Sequence, residues 1–305
     1  MREFELLARL SERLGGTERP GETFIGDDAA VLDAPRRRLV VSTDLVSEGV
    51  HFDRSYTSPC EVGWKAIAVN VSDIAAMGAT ARYALAAVAA PAGTDLDSLF
   101  DGMVEAAEEY GLHLVGGDLS SASVLVVSVA ILGEVGAKGA VLRSGASPGD
   151  RIYCTGPLGR SAAGLRLLNS GVREGELVEV CRRPRARPRE GVLAGELGAT
   201  AMIDVSDGLA RDLSHIATGS GVDLDLEGVP VADGASEEDA LGGGEDYELA
   251  FTLPPGLEPE RAFLEAGLRP PIAIGRAVVG SGRLLRGGVP ITVTGWEHDL
   301  GNPVR

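Results

Sequence analysis

Residues 61–77 read EVGWKAIAVNVSDIAAM, and residues 82–91 just beyond them read RYALAAVAAP. In the first stretch Trp64, Ile67, Ala68, Val71, Ile74 and Ala75 recur at about 100° per residue, which predicts a helix with one apolar face. Asn70 and Asp73 stand three apart on its polar side, where they are spatial neighbours. The second stretch is a continuous apolar run from Tyr83 to Ala90, closed by Pro91, and predicts a buried strand. Working outward, residues 38–44 read as a strand running into a polar loop, and residues 95–110 as an acidic amphipathic helix. A short strand then enters Gly116-Gly117-Asp118, and Ser123–Glu134 forms a long β run. Upstream, Phe4, Leu7, Leu10 and Leu14 have helical spacing that ends at Gly15-Gly16.

The segment RSGASPGD at 143–150 is rich in Gly, Ser and Pro and predicts a domain boundary, dividing the chain into 1–147 and 148–305. Beyond it, 151–155 reads as a strand, 160–169 as a helix and Met202–Val205 as a strand. A helix runs from Ser206-Asp207-Gly208 to about Thr218, and Asp246–Leu253 and 272–294 supply further strands. Helices and strands mix in both halves, so the expected fold is two α/β or α+β domains.

Composition narrows the function. A formal net charge of −17 repels nucleic-acid phosphates and anionic lipid, so neither is an expected partner. No apolar run reaches the ~18 residues needed to span a bilayer, and the amphipathic start lacks an apolar signal core. Three scattered cysteines, Cys60, Cys154 and Cys181, offer neither a zinc ribbon nor a disulfide framework. The expected location is the cytoplasm. The one basic run, Arg182 to Arg189, is interrupted by prolines and reads as a solvated connector rather than an anion site. No P-loop, GxSxG, HExxH or dinucleotide-binding glycine motif is present. Asp223-x-Asp225-x-Glu227-Gly228 imitates the start of a calcium loop, but Gly234 stands at its twelfth position and Val222, Leu224 and Leu226 alternate as in a strand.

What remains is a series of aspartates at the ends of strands and the starts of helices. They are Gly26-Asp27-Asp28, Ser42-Thr43-Asp44, Asn70 with Asp73, Gly116-Gly117-Asp118, Asp204-Val205-Ser206-Asp207-Gly208 and Gly242-Gly243-Gly244-Glu245-Asp246. Each alone is explained by a turn or a helix cap. If they converge, unit like charges 4 Å apart repel by ~4 kcal/mol at an effective dielectric of 20, so cations must neutralise them. All-oxygen ligands select magnesium, manganese or calcium over zinc. Magnesium on carboxylates commonly bridges phosphates, which points to polyphosphate chemistry, with Arg143 and glycine-rich amides as anion donors.

GDDAA at 26–30, STDLVSEGVHF at 42–52, GWKAIAVNVSDIAAMGA at 63–79, GGDLS at 116–120, LRSGASPGD at 142–150, TGPLG at 155–159, DVSDGLARDL at 204–213 and GGEDYELAFT at 243–252 follow in order along nearly the whole chain. Together they resemble the thiamine-monophosphate kinases, a family within the superfamily named after aminoimidazole ribonucleotide synthetase. The resemblance implies an N-terminal domain that pairs across a homodimer into a β-barrel, and a C-terminal α/β domain. It implies transfer of the ATP γ-phosphoryl group onto thiamine monophosphate with several Mg2+ ions and no protein nucleophile. It also implies roles. Asp28, Ser42, Thr43, Asp44, Asp73, Asp118, Asp204 and Asp207 would hold magnesium. Gly117, Asp118, Arg143 and Ser206 would meet ATP, and His51, Glu245 and Trp296 would line the thiamine monophosphate site. The chain departs from the family where Asp101 replaces an aromatic residue set against adenine. It departs again where Trp296-Glu297-His298-Asp299-Leu300 and five more residues replace an aromatic-x-His-Phe ending. The readings weighed beside it are an aminoimidazole ribonucleotide synthetase-like ATP-dependent enzyme and a non-catalytic, acidic cation- or nucleotide-binding protein.

Overall fold

The structure is a computed structural model that describes residue 22, residues 30–32 and residues 38–297. The expected helix at 2–14, the pair Asp27-Asp28 and the ending at 298–305 lie outside the described residues.

The N-terminal half is a four-stranded sheet covered on one face by two helices. Strands β1 (Leu39–Ser47), β2 (Ala79–Ala90), β3 (His113–Ser121) and β4 (Val126–Val135) lie in the order β1-β4-β2-β3. β4 is antiparallel to both of its neighbours, and β2 and β3 run parallel, joined through helix α2 (Leu96–Tyr110) as a crossover. Among the described residues the sheet is open, with β1 and β3 at its two edges. Helix α1 (Pro59–Ala76) is started by a capping box between Ser58 and Glu61. It is buried nearly all round, because α2 and the sheet pack on one side and the C-terminal half on the other. Two glycines allow the α1–α2 crossing. A Cβ at Gly63 would lie 1.9 Å from the Leu99 carbonyl, and one at Gly102 1.8 Å from that of Cys60.

The C-terminal half is a seven-stranded mixed sheet in the order β11-β10-β7-β9-β5-β8-β6. Its members are β5 (Arg151–Cys154), β6 (Ala201–Asp204), β7 (Asp223–Leu226), β8 (Leu249–Leu253), β9 (Ile272–Val278), β10 (Leu284–Arg286) and β11 (Val289–Pro290). Helices α3 (Arg160–Asn169), α4 (Glu176–Arg182), α5 (Pro188–Leu197), α6 (Leu209–Ser220), α7 (Glu237–Gly242) and α8 (Pro259–Glu265) complete it. The helices expected at 61–77, 95–110 and 160–169 are present. The strand expected from Asp246 begins only at Leu249, because Glu245 and Tyr247 adopt positive φ (64° and 51°) in a loop.

The two halves share apolar contacts. Ala75, Ala76 and Val141 pack with Tyr153, Met202, Leu249 and Phe251, and Tyr153, Phe251 and Phe263 stack at centroid spacings of 5.6 and 6.2 Å. The arginine run corrects its reading as a solvated connector. Arg183 pairs with Glu105 at 2.8 Å and stacks on Trp64, and Arg182 and Arg185 face Glu61 and Glu109 at 3.7 Å. Arg187 forms two bonds to Glu248, and Arg189 donates to the Ala266 carbonyl. Arg182, Arg183 and Arg185 face the N-terminal half and Arg187 and Arg189 the C-terminal half, so the run straps the two together. The sequence did not show this because every partner is distant along the chain. The calcium-loop look-alike is structural, as expected: Asp223 accepts from the Arg283 guanidinium and from the amides of Ser281, Gly282 and Arg283. Among the described residues no helix is long and apolar enough to cross a membrane.

Candidate active site

Successive residues of β1 point to opposite faces of the sheet. Ser42, Asp44 and Val46 face the helices, whereas Thr43 turns outward and donates to the Val129 carbonyl at 2.9 Å. Ser42 donates through its hydroxyl to the Asp73 carboxylate. The Asp44 amide donates to Asn70 Oδ1 at 2.9 Å, and Asn70 Nδ2 donates to the Ala66 carbonyl at 2.9 Å. Helix α1 therefore fixes the strand that carries Asp44. The same helix also reaches the C-terminal sheet: Ser72 Oγ donates to Oδ2 of Asp204, the last residue of β6, at 2.8 Å.

Beyond Asp204 the chain makes a tight turn into α6. One oxygen of Asp212, Oδ2, accepts the consecutive amides of Ser206, Asp207 and Gly208 at 3.0, 3.1 and 3.2 Å. Gly208 sits at φ 114°, and a Cβ there would press 2.9 Å from the Gly242 carbonyl carbon. The loop 242–247 is laid on this turn. Glu245 and Tyr247 donate their amides to the carbonyls of Ser206 and Val205 at 2.8 and 2.9 Å, and Trp296 donates its amide to that of Asp207 at 2.9 Å.

Between these segments opens a cleft of about 400 Å³. Asp44, His51, Ser206, Asp207, Glu245 and Trp296 all line it. The sequence-expected residues from both halves thus meet in one place. His51 Nδ1 accepts the Ser47 amide at 3.1 Å, and Trp296 is half exposed. Arg143 is solvent-exposed and close enough for its charge to act on Asp73 and Asp204. Gly117 and Asp118 are not brought to this wall. They lie on β3, at the opposite sheet edge from β1, in register with Ala86 and Ala87. There a Cβ at Gly117 would collide with the Ala86 carbonyl at 1.9 Å. Asp101 is exposed on α2.

Crowding marks the acidic wall electrostatically. Asp44 remains open to the cleft, yet desolvation by the surrounding protein, then the charges of Asp73 and Asp207, push its carboxyl up to about 6. Burial raises Asp73, with the Ser42 hydroxyl and Arg143 opposing. Asp204 is pushed to about 7 by burial and then by Asp73, against the Ser72 hydrogen bond. Asp212 rises to about 8, from burial and then from Asp204 and Asp207. A cluster in which each carboxylate disfavours its neighbours' ionisation is one a cation would relieve. Among the described residues, however, no three His, Cys, Asp or Glu side chains gather closely enough to hold a metal by themselves.

Sequence reasoning missed Ser72 and Asp212. Asp212 had a signal, an acid in the first turn of a helix, but nothing in the sequence shows its carboxylate folding back onto the preceding turn. Of the two acids in the 242–247 loop, only Glu245 faces the cleft. Asp246 instead accepts the amides of Gly159 and Ser161 at the start of α3, at 2.6 and 3.3 Å.

Residues 26–135 match the family model described as AIR synthase related protein, N-terminal domain, and residues 147–284 the corresponding C-terminal domain. The thiamine-monophosphate kinase of Mycobacterium tuberculosis strain H37Rv is 39% identical, over 99% of this chain and 92% of the relative. The chain belongs to the thiamine-monophosphate kinase family. A crystal structure of thiamine-monophosphate kinase from Stenotrophomonas maltophilia K279a superposes with a TM-score of 0.84 at 34% identity, covering 95% of this chain and 98% of that one. A structure of AaThiL complexed with AMPPCP and TMP superposes with a TM-score of 0.78 at 34% identity, covering 98% and 99%. The two mixed α/β domains are thus those of a thiamine-monophosphate kinase fold.

Proposed function

We propose that this protein transfers the γ-phosphoryl group of ATP to thiamine monophosphate, giving thiamine diphosphate and ADP. The observation that carries the reading is the convergence of Asp44, Asp73, Asp204 and Asp207, drawn from β1, α1, β6 and the turn before α6, beside a cleft that His51, Glu245 and Trp296 also line. A terminal phosphate oxygen of thiamine monophosphate attacks the γ-phosphorus, and the bond from that phosphorus to the β–γ bridging oxygen breaks. No protein nucleophile takes part, so catalysis is positioning and charge stabilisation.

The donor set fits magnesium: hard carboxylate oxygens, held in mutual repulsion by protein hydrogen bonds. Ser42, Asp44, Asp73, Asp204 and Asp207 would hold several Mg2+ ions, sharing them with phosphate oxygens and water as this ion prefers. Bound there, magnesium would neutralise charge on the transferring phosphoryl group. Arg143 and Ser206 serve the nucleotide phosphates, and the His51, Glu245 and Trp296 side receives thiamine monophosphate. Thr43, turned away by the strand's alternation, would contribute through its backbone, and Asp28 would join from outside the described residues.

We place the domain boundary at 147/148 and read the active form as a homodimer in the cytoplasm. The sheet face away from the helices exposes Leu39, Val41, Leu45 and Leu85, an apolar surface that a second copy would cover. With β1 and β3 at opposite edges, pairing β3 of one copy against β1 of another closes the edges. It also carries Gly117 and Asp118 to the neighbour's Ser42–Asp44 edge.

Phosphorus NMR of the protein with ATP, magnesium and thiamine monophosphate tests the reading. Thiamine diphosphate and ADP should grow in equal amounts and neither should form in EDTA. Folded protein that leaves both substrates unchanged would refute it.

A further inference from the structure

Lys65 is one of only two lysines in the chain, and it is 2% exposed. A buried ammonium is costly unless paired and hydrogen-bonded. Here Nζ donates to the His51 carbonyl at 2.7 Å and lies 2.7 Å from Glu245 Oε1. These two partners come from different halves of the molecule, and both line the cleft. Each is held on a shaped backbone. His51 closes a turn in which its amide donates to the Ser47 carbonyl at 2.9 Å. Glu245 sits at φ 64°, a conformation that non-glycine residues hold only where the surroundings impose it.

The helix places Lys65 for this task. Lys65, Val69 and Asp73 fall at i, i+4 and i+8 on one stripe of α1, Val69 lines the cleft, and Asp73 belongs to the acidic wall. Eight residues at 1.5 Å each separate the two ends by about 12 Å. One rigid helix therefore sets the distance between the phosphate end and the far end of the cleft.

We infer that Lys65 is a positioning residue for the acceptor substrate: its ammonium clamps the His51 backbone to the Glu245 carboxylate across the two domains and so fixes the far end of the cleft. The inference deepens the proposed activity and rests on it for the identity of the substrate. It requires no contact between Lys65 and that substrate.

Lys65→Met, Lys65→Arg, Glu245→Gln and the Lys65→Met/Glu245→Gln double variant test it with two readouts. In 15N-labelled protein without ligand, the Glu245 and His51 amides should shift in Lys65→Met and stay near their native positions in Lys65→Arg. By calorimetry, Lys65→Met should lose about tenfold in thiamine monophosphate affinity, the effect of one charged hydrogen bond, with AMPPCP affinity changed by less than about twofold. The double variant should bind no worse than the poorer single one, since both changes break the same clamp. Native thiamine monophosphate affinity in Lys65→Met, or equal losses for both ligands, overturns the inference. If Lys65→Met fails to fold, Lys65→Arg decides, because it should keep the clamp and bind within about threefold of the native protein; a larger loss for both ligands counts against it. If the native protein does not bind thiamine monophosphate while the amides still shift in Lys65→Met, the clamp stands and the substrate assignment fails.

Discussion

Ser72 Oγ donates to Asp204 Oδ2 at 2.8 Å, so a helix of the N-terminal domain hydrogen-bonds the buried carboxylate that ends a strand of the C-terminal domain. This bond holds Asp204 within electrostatic reach of Asp73 and Asp44. It also opposes the upward push that burial and those charges exert.

The carboxyls of Asp44, Asp204 and Asp212 are raised to about 6, 7 and 8 from an ordinary value near 3.8. A raised carboxyl favours the fold while protonated. Its contribution is complete below the ordinary value and is lost as pH rises through the raised one. The metal-free protein should therefore lose stability between pH 5 and 8, where ordinary carboxylates no longer titrate. Urea midpoints in EDTA at pH 5.5 and 8 check this, with magnesium at pH 8 expected to recover the loss. Asp204→Asn should show a smaller drop, and a native profile flat over this range would contradict the electrostatic account.

Asp44→Asn removes one charge from the wall at nearly constant volume. Replacing groups around a bound metal typically costs 10–100-fold, so turnover should fall by about 100-fold or more. The same change should stabilise the metal-free protein at pH 8, because Asp73 and Asp207 lose a repelling neighbour. Near-native turnover in saturating magnesium would remove Asp44 from the cluster.

Much of this was legible along the chain. Helix α1 was readable because six apolar residues keep its period, and Asp204 and Asp207 because they stand at a strand end and before a helix; Asp73 lies within α1 and Asp44 within β1, where only the motifs around them marked them. The outward turn of Thr43 follows from strand alternation, although the motif around it implied a metal role for its side chain. The place of Asp118 depended on strand order. A parallel β2–β3 pair with β4 inserted next to β1 puts Asp118 and Asp44 at opposite edges, and no local pattern encodes that order. The arginine strap and the Ser72–Asp204 bond join residues far apart in sequence, so only the folded chain reveals them.

Asp212 distinguishes geometry from charge. Its single oxygen accepts three amides that shape the Ser206–Asp207 turn. Asp212→Ala would leave those amides without their acceptor and should destabilise by about 3 kcal/mol, with turnover falling alongside. Asp212→Asn keeps a carbonyl oxygen in place. Because burial and the neighbouring carboxylates raise the native carboxyl to about 8 and so favour its neutral form, the Asn variant should unfold within about 1 kcal/mol of the native protein. Equal losses in the two variants, measured by urea unfolding, would show that the negative charge matters more than the acceptor.

Glu248 offers the opposite sign. It is 3% exposed, accepts two bonds from Arg187 at 2.8 and 3.0 Å, and is also held by Arg269 at 2.7 Å and by the Thr155 hydroxyl at 2.6 Å. Burial alone would raise its carboxyl, but Arg187 and Arg269 outweigh it and hold the group below its ordinary value. Its contribution is thus present above the ordinary carboxylate range and is lost as pH falls through the lowered value. Arg187→Met leaves a buried carboxylate with one cation fewer, a change that typically costs about 3 kcal/mol at pH 7.5. In the variant the Glu248 carboxyl should rise, so acidification neutralises the stranded charge and narrows the deficit. Unfolding free energies at pH 7.5 and 5 should therefore differ from the native protein's by less at the lower pH. A deficit unchanged between the two would mean that Arg187 acts through packing of its stem against the strap, with little share for its charge.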